Sequence, residues 1–410
     1  MDDFDPDSLS ANTALEKILE VITPIQGTEK ISLRSGLDRV LAEDIHSSVN
    51  VPSHINSAMD GYAVIGTDLP GSGTRELKVA GTVFAGKPLQ QKITSGSCAR
   101  IMTGGVMPQG TDTVVIQERT ERNGDVIRIG ADTRPGDNVR QAGEDIAIGD
   151  MILARGTRLT PADLGLIASL GIGEVMVTRK PRVAFFSTGD ELQSIGEQLE
   201  DGNVYDSNRY TLYGMLTRLG AEIVDMGVVR DVREDIEKAF NVAASCADVV
   251  ITSGGVSVGE ADYIKEILAR LGQVNFWKVA IKPGRPLAFG KLNNAWFFGL
   301  PGNPVSVMVT FYQFVQPALH KLMDRQYIEP LTTRAVCMSK LRKRSGRIEY
   351  QRGIIEKDES GRMVVHKTGA QGSGILSSMS QANCFIVLPM ESEGVEPGTE
   401  VDVQPFFGIV

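Results

Sequence analysis

The pattern of apolar and polar residues changes along the first half of the chain. Apolar positions at helical spacing predict an amphipathic helix over residues 13–22 and a second short helix over residues 35–45. Residues 51–137 instead contain short alternating segments interrupted by Gly and Pro, which is typical of hairpins or a barrel. Residues 138–159 return to the first pattern, and residues 161–171 predict another helix. A β-rich segment is therefore predicted to interrupt an N-terminal module.

Strand-like and helix-like segments then alternate between residues 181 and 320. Strands are predicted at 182–188, 222–229, 248–252 and 274–281, and helices at 210–219, 233–245 and 261–271. This repetition predicts a mostly parallel sheet that is covered by helices on both faces. Ligands of such sheets bind at the carboxyl ends of the strands. We therefore expect the residues that follow these strands to converge on one crevice.

These patterns predict a multidomain α/β plus β fold. It comprises an α/β module with a mostly parallel sheet, a β-rich inserted module and a small, barrel-like C-terminal β module. The predicted boundaries are 1–50 with 138–178 for the N-terminal module, 51–137 for the inserted module, 179–327 for the α/β module and 328–410 for the C-terminal module.

Composition excludes several classes of protein. With 410 residues, 42% of them hydrophobic, the chain can bury several cores. The formal net charge of -9 argues against nucleic acid as a partner. No apolar run is long enough to span a membrane, and the acidic start is unlike a signal peptide. The four cysteines form no CxxC pair, which argues against a zinc site. We expect a cytoplasmic protein that binds neither nucleic acid nor membranes.

The stretch SGGVSVGEADY, residues 253–263, is the strongest candidate for a binding site. It follows a predicted buried strand and leads into a predicted helix, so its backbone N–H groups can form a concave site for an oxyanion. The carboxylates at its end would repel a bare anion, which points to a bridging Mg²⁺. The candidate residues in this stretch are Ser253, Gly254, Gly255, Ser257, Gly259, Glu260 and Asp262.

Two further motifs favour anion binding. In KVAIKPGRP, side-chain alternation along one strand places Lys278 and Lys282 on the same face, and the following turn adds Arg285. A solvated basic strand edge is the structural alternative. In GLPGNPVS, a rigid turn enters a helix and presents backbone N–H groups at its N-terminus. The candidates in this turn are Pro301, Gly302, Asn303 and Pro304.

Acidic residues follow the first two predicted strands of the α/β module. Asp190 and Glu191 lie in STGDEL, where either could act as an acid, a base, a metal ligand or a helix cap. Asp231 follows the second strand and has the same alternatives. Outside this module, Asp60 lies in NSAMDGYAV, and residues 138–145 contain further charged side chains. No Ser-His-Asp pattern accompanies the serines, which disfavours a serine hydrolase.

The motifs NSAMDGYAV, MTGGVMPQGTDTVV, GEDI, STGDEL, SGGVSVGEADY, KPGRP and GLPGNPVS occur in this order. Together they resemble the MoeA family of molybdopterin molybdenumtransferases, which is related to the E domain of gephyrin. The resemblance covers essentially the whole chain. It implies that the α/β module has the molybdopterin adenylyltransferase fold. It also implies an elongated homodimer whose active site lies at the subunit interface, between the inserted module of one subunit and the α/β module of the other.

The resemblance implies an enzyme of molybdenum cofactor synthesis. Such an enzyme binds adenylylated molybdopterin, cleaves its phosphoanhydride with Mg²⁺, inserts molybdate and releases AMP. Further partners are the adenylyltransferase and the proteins that accept the cofactor. The implied catalytic residues are Asp60, Glu191, Asp231, Asp262, Lys278 and Lys282; the implied metal ligands are Asp231, Asp262 and Glu191; and the implied polar positions near the cleft are Thr103, Arg140 and Asp145.

The sequence departs from the family pattern in two places. Position 285 is Arg where some members have Lys, which replaces a point charge by a planar fork. His54 and Ile55 also differ from the family motif next to Asp60. Two alternative functions stay open. The first is the related adenylyltransferase, which the additional modules disfavour; the second is a scaffold without catalytic activity, which the full acidic set disfavours.

Overall fold

The computed structural model describes residues 5–254, 262–325 and 329–406, with the backbone alone for residues 262 and 263. The helices are α1 Ala11–Val21, α2 Pro161–Ser169, α3 Ser207–Leu219, α4 Arg233–Cys246, α5 Asp262–Leu271, α6 Pro304–Thr310, α7 Gln316–Leu322 and α8 Leu376–Gln381. A π-helical turn, Phe311–Val315, joins α6 to α7. Within the described part of the chain, no helix is both long and apolar enough to cross a membrane.

Twelve strands precede the α/β module, and most of them are short. They are β1 Thr28–Ser32, β2 Ile45–His46, β3 Asn56–Ser57, β4 Gly61–Val64, β5 Thr74–Val83, β6 Ser97–Ile101, β7 Thr113–Ile116, β8 Thr120–Asn123, β9 Val126–Gly130, β10 Val139–Arg140, β11 Met151–Leu153 and β12 Glu174–Thr178.

The remaining strands belong to the α/β and C-terminal modules. They are β13 Arg182–Thr188, β14 Leu192–Gln193, β15 Val204–Tyr205, β16 Glu222–Val229, β17 Val249–Ser253, β18 Gly272–Lys278, β19 Ile281–Lys282, β20 Pro286–Leu292, β21 Ala295–Leu300, β22 Thr333–Cys337, β23 Leu341–Arg342, β24 Ile348–Lys357, β25 Met363–Lys367, β26 Cys384–Leu388, β27 Gly394–Val395 and β28 Glu400–Pro405.

Strands from both predicted parts of the N-terminal module pair with each other. β1 is antiparallel to β12, and β2 is antiparallel to β11. Their shared core includes Leu41, Ile146 and Val177. Helix α1, in contrast, packs in the core of the α/β module through Ala14 and Ile18. The first helix of the chain thus contributes to the unit that carries the candidate crevice.

The predicted helix at residues 35–45 is wrong. The chain makes a single 3₁₀ turn at Leu33–Ser35 and then extends. Val40 and Leu41 are both buried and form isolated bridges to Arg158 and Val177. Neighbouring residues with buried side chains on opposite sides need extended backbone, which helical spacing cannot provide.

The inserted module is a six-stranded sheet of order β7-β4-β6-β5-β9-β8. Neighbouring residues of β4, Tyr62 and Ala63, are buried in different apolar clusters. Gly61 begins this strand, and a Cβ at this position would lie 2.1 Å from the carbonyl oxygen of Val115. The close backbone approach therefore requires glycine next to Asp60.

The α/β module has a sheet of order β16-β13-β17-β21-β20-β18. The first three neighbouring pairs are parallel, and only β20 runs against the other five strands. Phe185 of β13 is buried with α1, α3, α6 and α7, whereas Phe186 is buried with α4 and α5. The prediction of a mostly parallel sheet between two helical layers is confirmed.

The C-terminal module is a closed barrel. Strands β24, β25, β22, β28 and β26 follow one another, and pairing of β24 with β26 completes the ring. β19, which comes from the α/β module, pairs in parallel with β24, so that Ile281 lies opposite Ile348. The barrel is therefore joined to the α/β module by backbone hydrogen bonds, and the predicted barrel-like fold is confirmed.

Candidate functional site

A cleft of about 800 Å³ lies where the α/β sheet meets the C-terminal barrel. Its floor is formed by residues that follow the carboxyl ends of β13, β16, β17 and β21, as expected for this kind of sheet. The sequence-predicted site residues that line it are Glu191, Asp231, Gly254, Lys282, Arg285, Pro301, Gly302 and Asn303. The structure thus brings together four separate sequence motifs.

Carboxylates line one side of this cleft. The backbone N–H of Asp231 donates to Oδ1 of Asp190 at 3.0 Å, which joins the ends of β16 and β13. Glu191 folds back over Gly189, whose φ is 148°. A Cβ on Gly189 would lie 2.6 Å and 2.7 Å from the two carboxylate oxygens of Glu191. Glycine at this position therefore makes room for the carboxylate.

These carboxylates fit Mg²⁺ by chemistry, because it prefers oxygen ligands and needs only one or two protein carboxylates beside substrate phosphates. Among the described residues, no three His, Cys, Asp or Glu side chains form a ready-made metal cluster. The backbone N–H of Asp231 donates to the Asp190 carboxylate, so these two residues are neighbours at the edge of the cleft. Asp262 begins α5, and its side chain lies outside the described part of the structure.

The start of the Gly/Ser stretch forms part of the cleft floor. Gly254 has φ of 92°, and a Cβ there would lie 2.7 Å from the carbonyl oxygen of Thr188. Ser253 is buried, and its hydroxyl is 3.1 Å from that of Ser187. It therefore supports the loop and does not line the cleft. Four other predicted residues lie outside the described part of the chain: Gly255, Ser257, Gly259 and Glu260.

The GLPGNPVS turn lies beside Gly254. Asn208 of α3 donates to the carbonyl oxygen of Gly302 at 2.6 Å, and this fixes the turn. Pro304 is the first residue of α6 and does not line the cleft. The N–H of Val305 donates to the carbonyl oxygen of Ser373 at 3.0 Å. The turn therefore connects the α/β module directly to the barrel.

The prediction that Lys278 and Lys282 share one strand face is wrong. β18 ends at Lys278, whereas Lys282 belongs to β19, which pairs with the barrel. Lys282 lines the cleft, and its Nζ lies 3.2 Å from Oε1 of Glu349. Glu349 is buried, so its carboxylate supplies a fixed negative partner to this ammonium group. The strand predicted at 274–281 is therefore two strands, because β18 pairs within the α/β sheet whereas β19 pairs with β24 of the barrel.

Lys278 and Arg285 make a different ion pair, with Asp5. Nη2 of Arg285 donates to Oδ2 of Asp5, and Nζ of Lys278 lies 3.5 Å from the same oxygen. Arg285 lines the cleft, but Lys278 does not. The two cations are neighbours because β18 and β20 are paired at their ends, with Lys278 opposite Pro286.

Sequence reasoning missed the wall that the C-terminal module contributes. Arg347, Glu349 and residues 371–373 line the cleft. Arg352 lies fully buried behind this wall and donates to Oγ of Ser378 and the carbonyl oxygen of Gly372, both at 3.0 Å. Burial lowers the pKa of Arg352 to about 10. The available signal was the run of polar and charged residues Glu349, Gln351 and Arg352 between apolar residues of strand β24.

The predicted residues of the inserted and N-terminal modules do not line this cleft. The backbone N–H and hydroxyl of Thr103 both donate to Oδ1 of Asp60 at 2.7 Å. These two bonds hold the pKa of the Asp60 carboxyl below its ordinary value, so that it stays ionised at neutral pH. Arg140 lies 3.8 Å from Glu144, and the N–H of Asp145 donates to the backbone of Val51. These residues lie outside the cleft of their own chain.

Three family descriptions match successive parts of the sequence. They are the MoeA N-terminal region (domain I and II) at residues 9–171, a probable molybdopterin binding domain at 184–321, and the MoeA C-terminal region (domain IV) at 334–406. The molybdopterin molybdenumtransferase of Haemophilus influenzae is 48% identical over 400 residues, covering 97% of this chain and 98% of the relative. The chain belongs to the MoeA family.

Other MoeA relatives agree over similar lengths. The molybdopterin molybdenumtransferase of Nostoc is 36% identical, with 92% of this chain and 88% of the relative covered. The crystal structure of the molybdopterin biosynthesis moeA protein from Pyrococcus horikoshii superposes with a TM-score of 0.84 at 31% identity, covering 97% of this chain and all of the other. The whole arrangement of modules is thus that of a solved MoeA structure.

Proposed function

We propose that this protein is a molybdopterin molybdenumtransferase of molybdenum cofactor biosynthesis. It takes adenylylated molybdopterin and molybdate, cleaves the phosphoanhydride with Mg²⁺ and releases AMP. The observation that carries the proposal is the cleft, where carboxylates at the sheet ends and the Lys282 ammonium lie together. The names of the relatives support the transfer of molybdenum to molybdopterin.

Different residues of the cleft bind the phosphates, bind the metal ion and activate water. Lys282 and the backbone around Gly254 and Gly302 hold the phosphate oxygens, because charged donors and loop amides suit oxyanions. Asp231, together with Asp190, would hold Mg²⁺, and the ion would supply positive charge to neutralise the leaving phosphate. Glu191 orients the water that attacks the anhydride and accepts its proton.

Asp60 and Thr103 are proposed to complete the site of a second subunit. The Asp60 carboxylate accepts hydrogen bonds from Thr103, and both residues lie outside the cleft of their own chain. A homodimer in which the inserted module of one subunit covers the cleft of the other would give this pair a function. In a two-fold dimer, both sites are then built from two chains.

The reaction is tested by incubating purified protein with adenylylated molybdopterin, Mg²⁺ and molybdate, and by measuring AMP and inserted molybdenum. Molybdate-dependent AMP release with an equal amount of cofactor is expected. Tight binding of the pterin without AMP release would refute the transferase and favour a carrier or scaffold.

The shared site is tested by complementation between two inactive variants, Asp60→Asn and Asp231→Asn. In a co-expressed mixture, about half of the dimers are mixed and each contains one intact site, so about a quarter of wild-type activity is expected. Asp201→Asn, an exposed loop substitution, serves as the control and should retain activity. If the mixture is as inactive as its parents, the site is not shared between subunits.

A further inference from the structure

The N-terminal segment, residues 5–9, is bound next to the cleft. Leu9 bridges to Val279: its N–H donates to the carbonyl oxygen of Lys278 at 2.8 Å, and its carbonyl oxygen accepts from Ala280 at 2.7 Å. These bonds place Asp5 between Arg285 and Lys278. A carboxylate of the chain itself therefore occupies a pair of cations at the edge of the candidate site.

Asp5 is ionised in this position. Its Oδ1 accepts a hydrogen bond from the backbone N–H of Asp7 at 3.0 Å. That bond, followed by the charges of Lys278 and Arg285, lowers the pKa of Asp5. At neutral pH the single negative charge of the Asp5 carboxylate thus faces the positive charges of Lys278 and Arg285.

Arg285 also retains capacity for a ligand. It is held by a tight turn, since Gly284 has φ of 100° and a Cβ there would lie 2.6 Å from Oγ1 of Thr310. Its Nη2 binds Asp5, whereas its Nε is buried with no hydrogen-bond partner in the described part of the chain. A buried donor without a partner beside a cleft indicates that a ligand atom completes the site.

We propose that Asp5 is an internal competitor for the oxyanion that binds Arg285 and Lys278. The ligand class is an oxyanion of tetrahedral groups with a total of two or more negative charges, either molybdate or the diphosphate of the pterin nucleotide. This inference rests on the proposed function, which brings both anions to the cleft. A multiply charged anion displaces the carboxylate at a lower concentration than a singly charged one, because it is attracted more strongly to the two cations.

Water access makes this exchange feasible. The side chains of Lys278 and Arg285 are 51% and 37% exposed, and that of Asp5 is 22% exposed. Exposed ion pairs contribute little net free energy, because hydration of the separated charges replaces most of the attraction. The Asp5 carboxylate therefore raises the anion concentration that is needed to occupy Arg285 and Lys278, but it does not prevent binding.

The test measures binding of molybdate and of inorganic pyrophosphate, separately, by calorimetry. Asp5→Asn removes the competing charge and keeps the shape of the side chain. Asp7→Asn is the matched control, since it makes the same change in net charge two residues away with no contact to either cation. Asp5→Glu restores the carboxylate.

We expect Asp5→Asn to bind at least one of the two anions about threefold to tenfold more tightly than Asp7→Asn does. Asp5→Glu should remain near wild type. A gain with molybdate alone assigns these cations to molybdate, and a gain with pyrophosphate alone assigns them to phosphate.

Equal binding by the two Asn variants, weaker binding by Asp5→Asn, or no detectable binding by any variant overturns the proposal. These results do not depend on AMP release, so the transferase activity is judged separately. A protein that releases AMP but fails this test still has its proposed function, with Asp5 acting only to fix Arg285.

Discussion

Removal of Lys282 should cost stability as well as function, because its ammonium group forms an ion pair with the buried Glu349 carboxylate. At 3.2 Å the attraction is about 1.3 kcal/mol at the dielectric constant of water and about 5 kcal/mol at an effective value near 20. Lys282 is 44% exposed, so water screens the pair and the lower part of this range applies. We expect Lys282→Met to reduce the free energy of unfolding by about 1–2 kcal/mol.

A double-mutant cycle separates the ion pair from other effects of the substitutions. Unfolding by urea is measured for wild type, Lys282→Met, Glu349→Gln and the double variant. Because Gln351 also donates to Glu349 at 3.1 Å, the glutamine variant keeps a hydrogen-bonded partner. The double variant should lose about 1 kcal/mol less than the sum of the single losses. Additive losses would mean that the two side chains do not stabilise each other, and Lys282 would then serve only the ligand.

Two further predictions concern the cleft floor and a buried histidine. Gly254→Ala should lower the free energy of unfolding by at least about 1 kcal/mol, because an L-residue is strained at its positive φ. Gly302→Ala, whose Cβ would meet only ordinary contact at 3.9 Å, is the control for stability, and an equal loss in both variants would contradict the argument. Burial, and then the charges of Arg325 and Arg158, lowers the pKa of His320 to about 3. The unfolded state therefore binds a proton near pH 6.5 that the folded state refuses, and stability should fall by about 2 kcal/mol between pH 7.5 and pH 5. His320→Gln should remove this part of the pH dependence in urea unfolding, and an unchanged slope would refute the assignment.

The α/β module was predictable because its sequence carries local signals. Each strand is a buried run, and α3 ends at Gly220, whose φ of 78° suits a helix C-terminus. Glycine and proline also fix the turns that bring Gly254 and Gly302 together. The position of the cleft floor could be predicted because the carboxyl ends of parallel strands meet at the same edge of a sheet.

The remaining parts of the cleft depend on contacts between distant segments. Glu349 follows Lys282 by 67 residues, and only the pairing of β19 with β24 brings them together. The same pairing breaks the alternation that would place Lys278 beside Lys282. Asp5 lies 280 residues from Arg285, and nothing in the spacing of either segment indicates their contact. Such pairs are set by the packing of whole modules, which short-range patterns do not report.

The attachment of β19 to the barrel also determines when the cleft can form during synthesis. Asp190, Glu191, Asp231 and Gly254 of the cleft precede residue 262, whereas the opposite wall begins at Arg347 and ends at Ser373. A ribosome-bound chain can fold its parallel sheet before that wall has been made, since domains fold as units in order of synthesis. The nascent protein then exposes β19 as an unpaired edge and holds only half of its binding site. The cleft is therefore complete only after the C-terminal barrel has been synthesised, later than the parallel sheet that forms its floor.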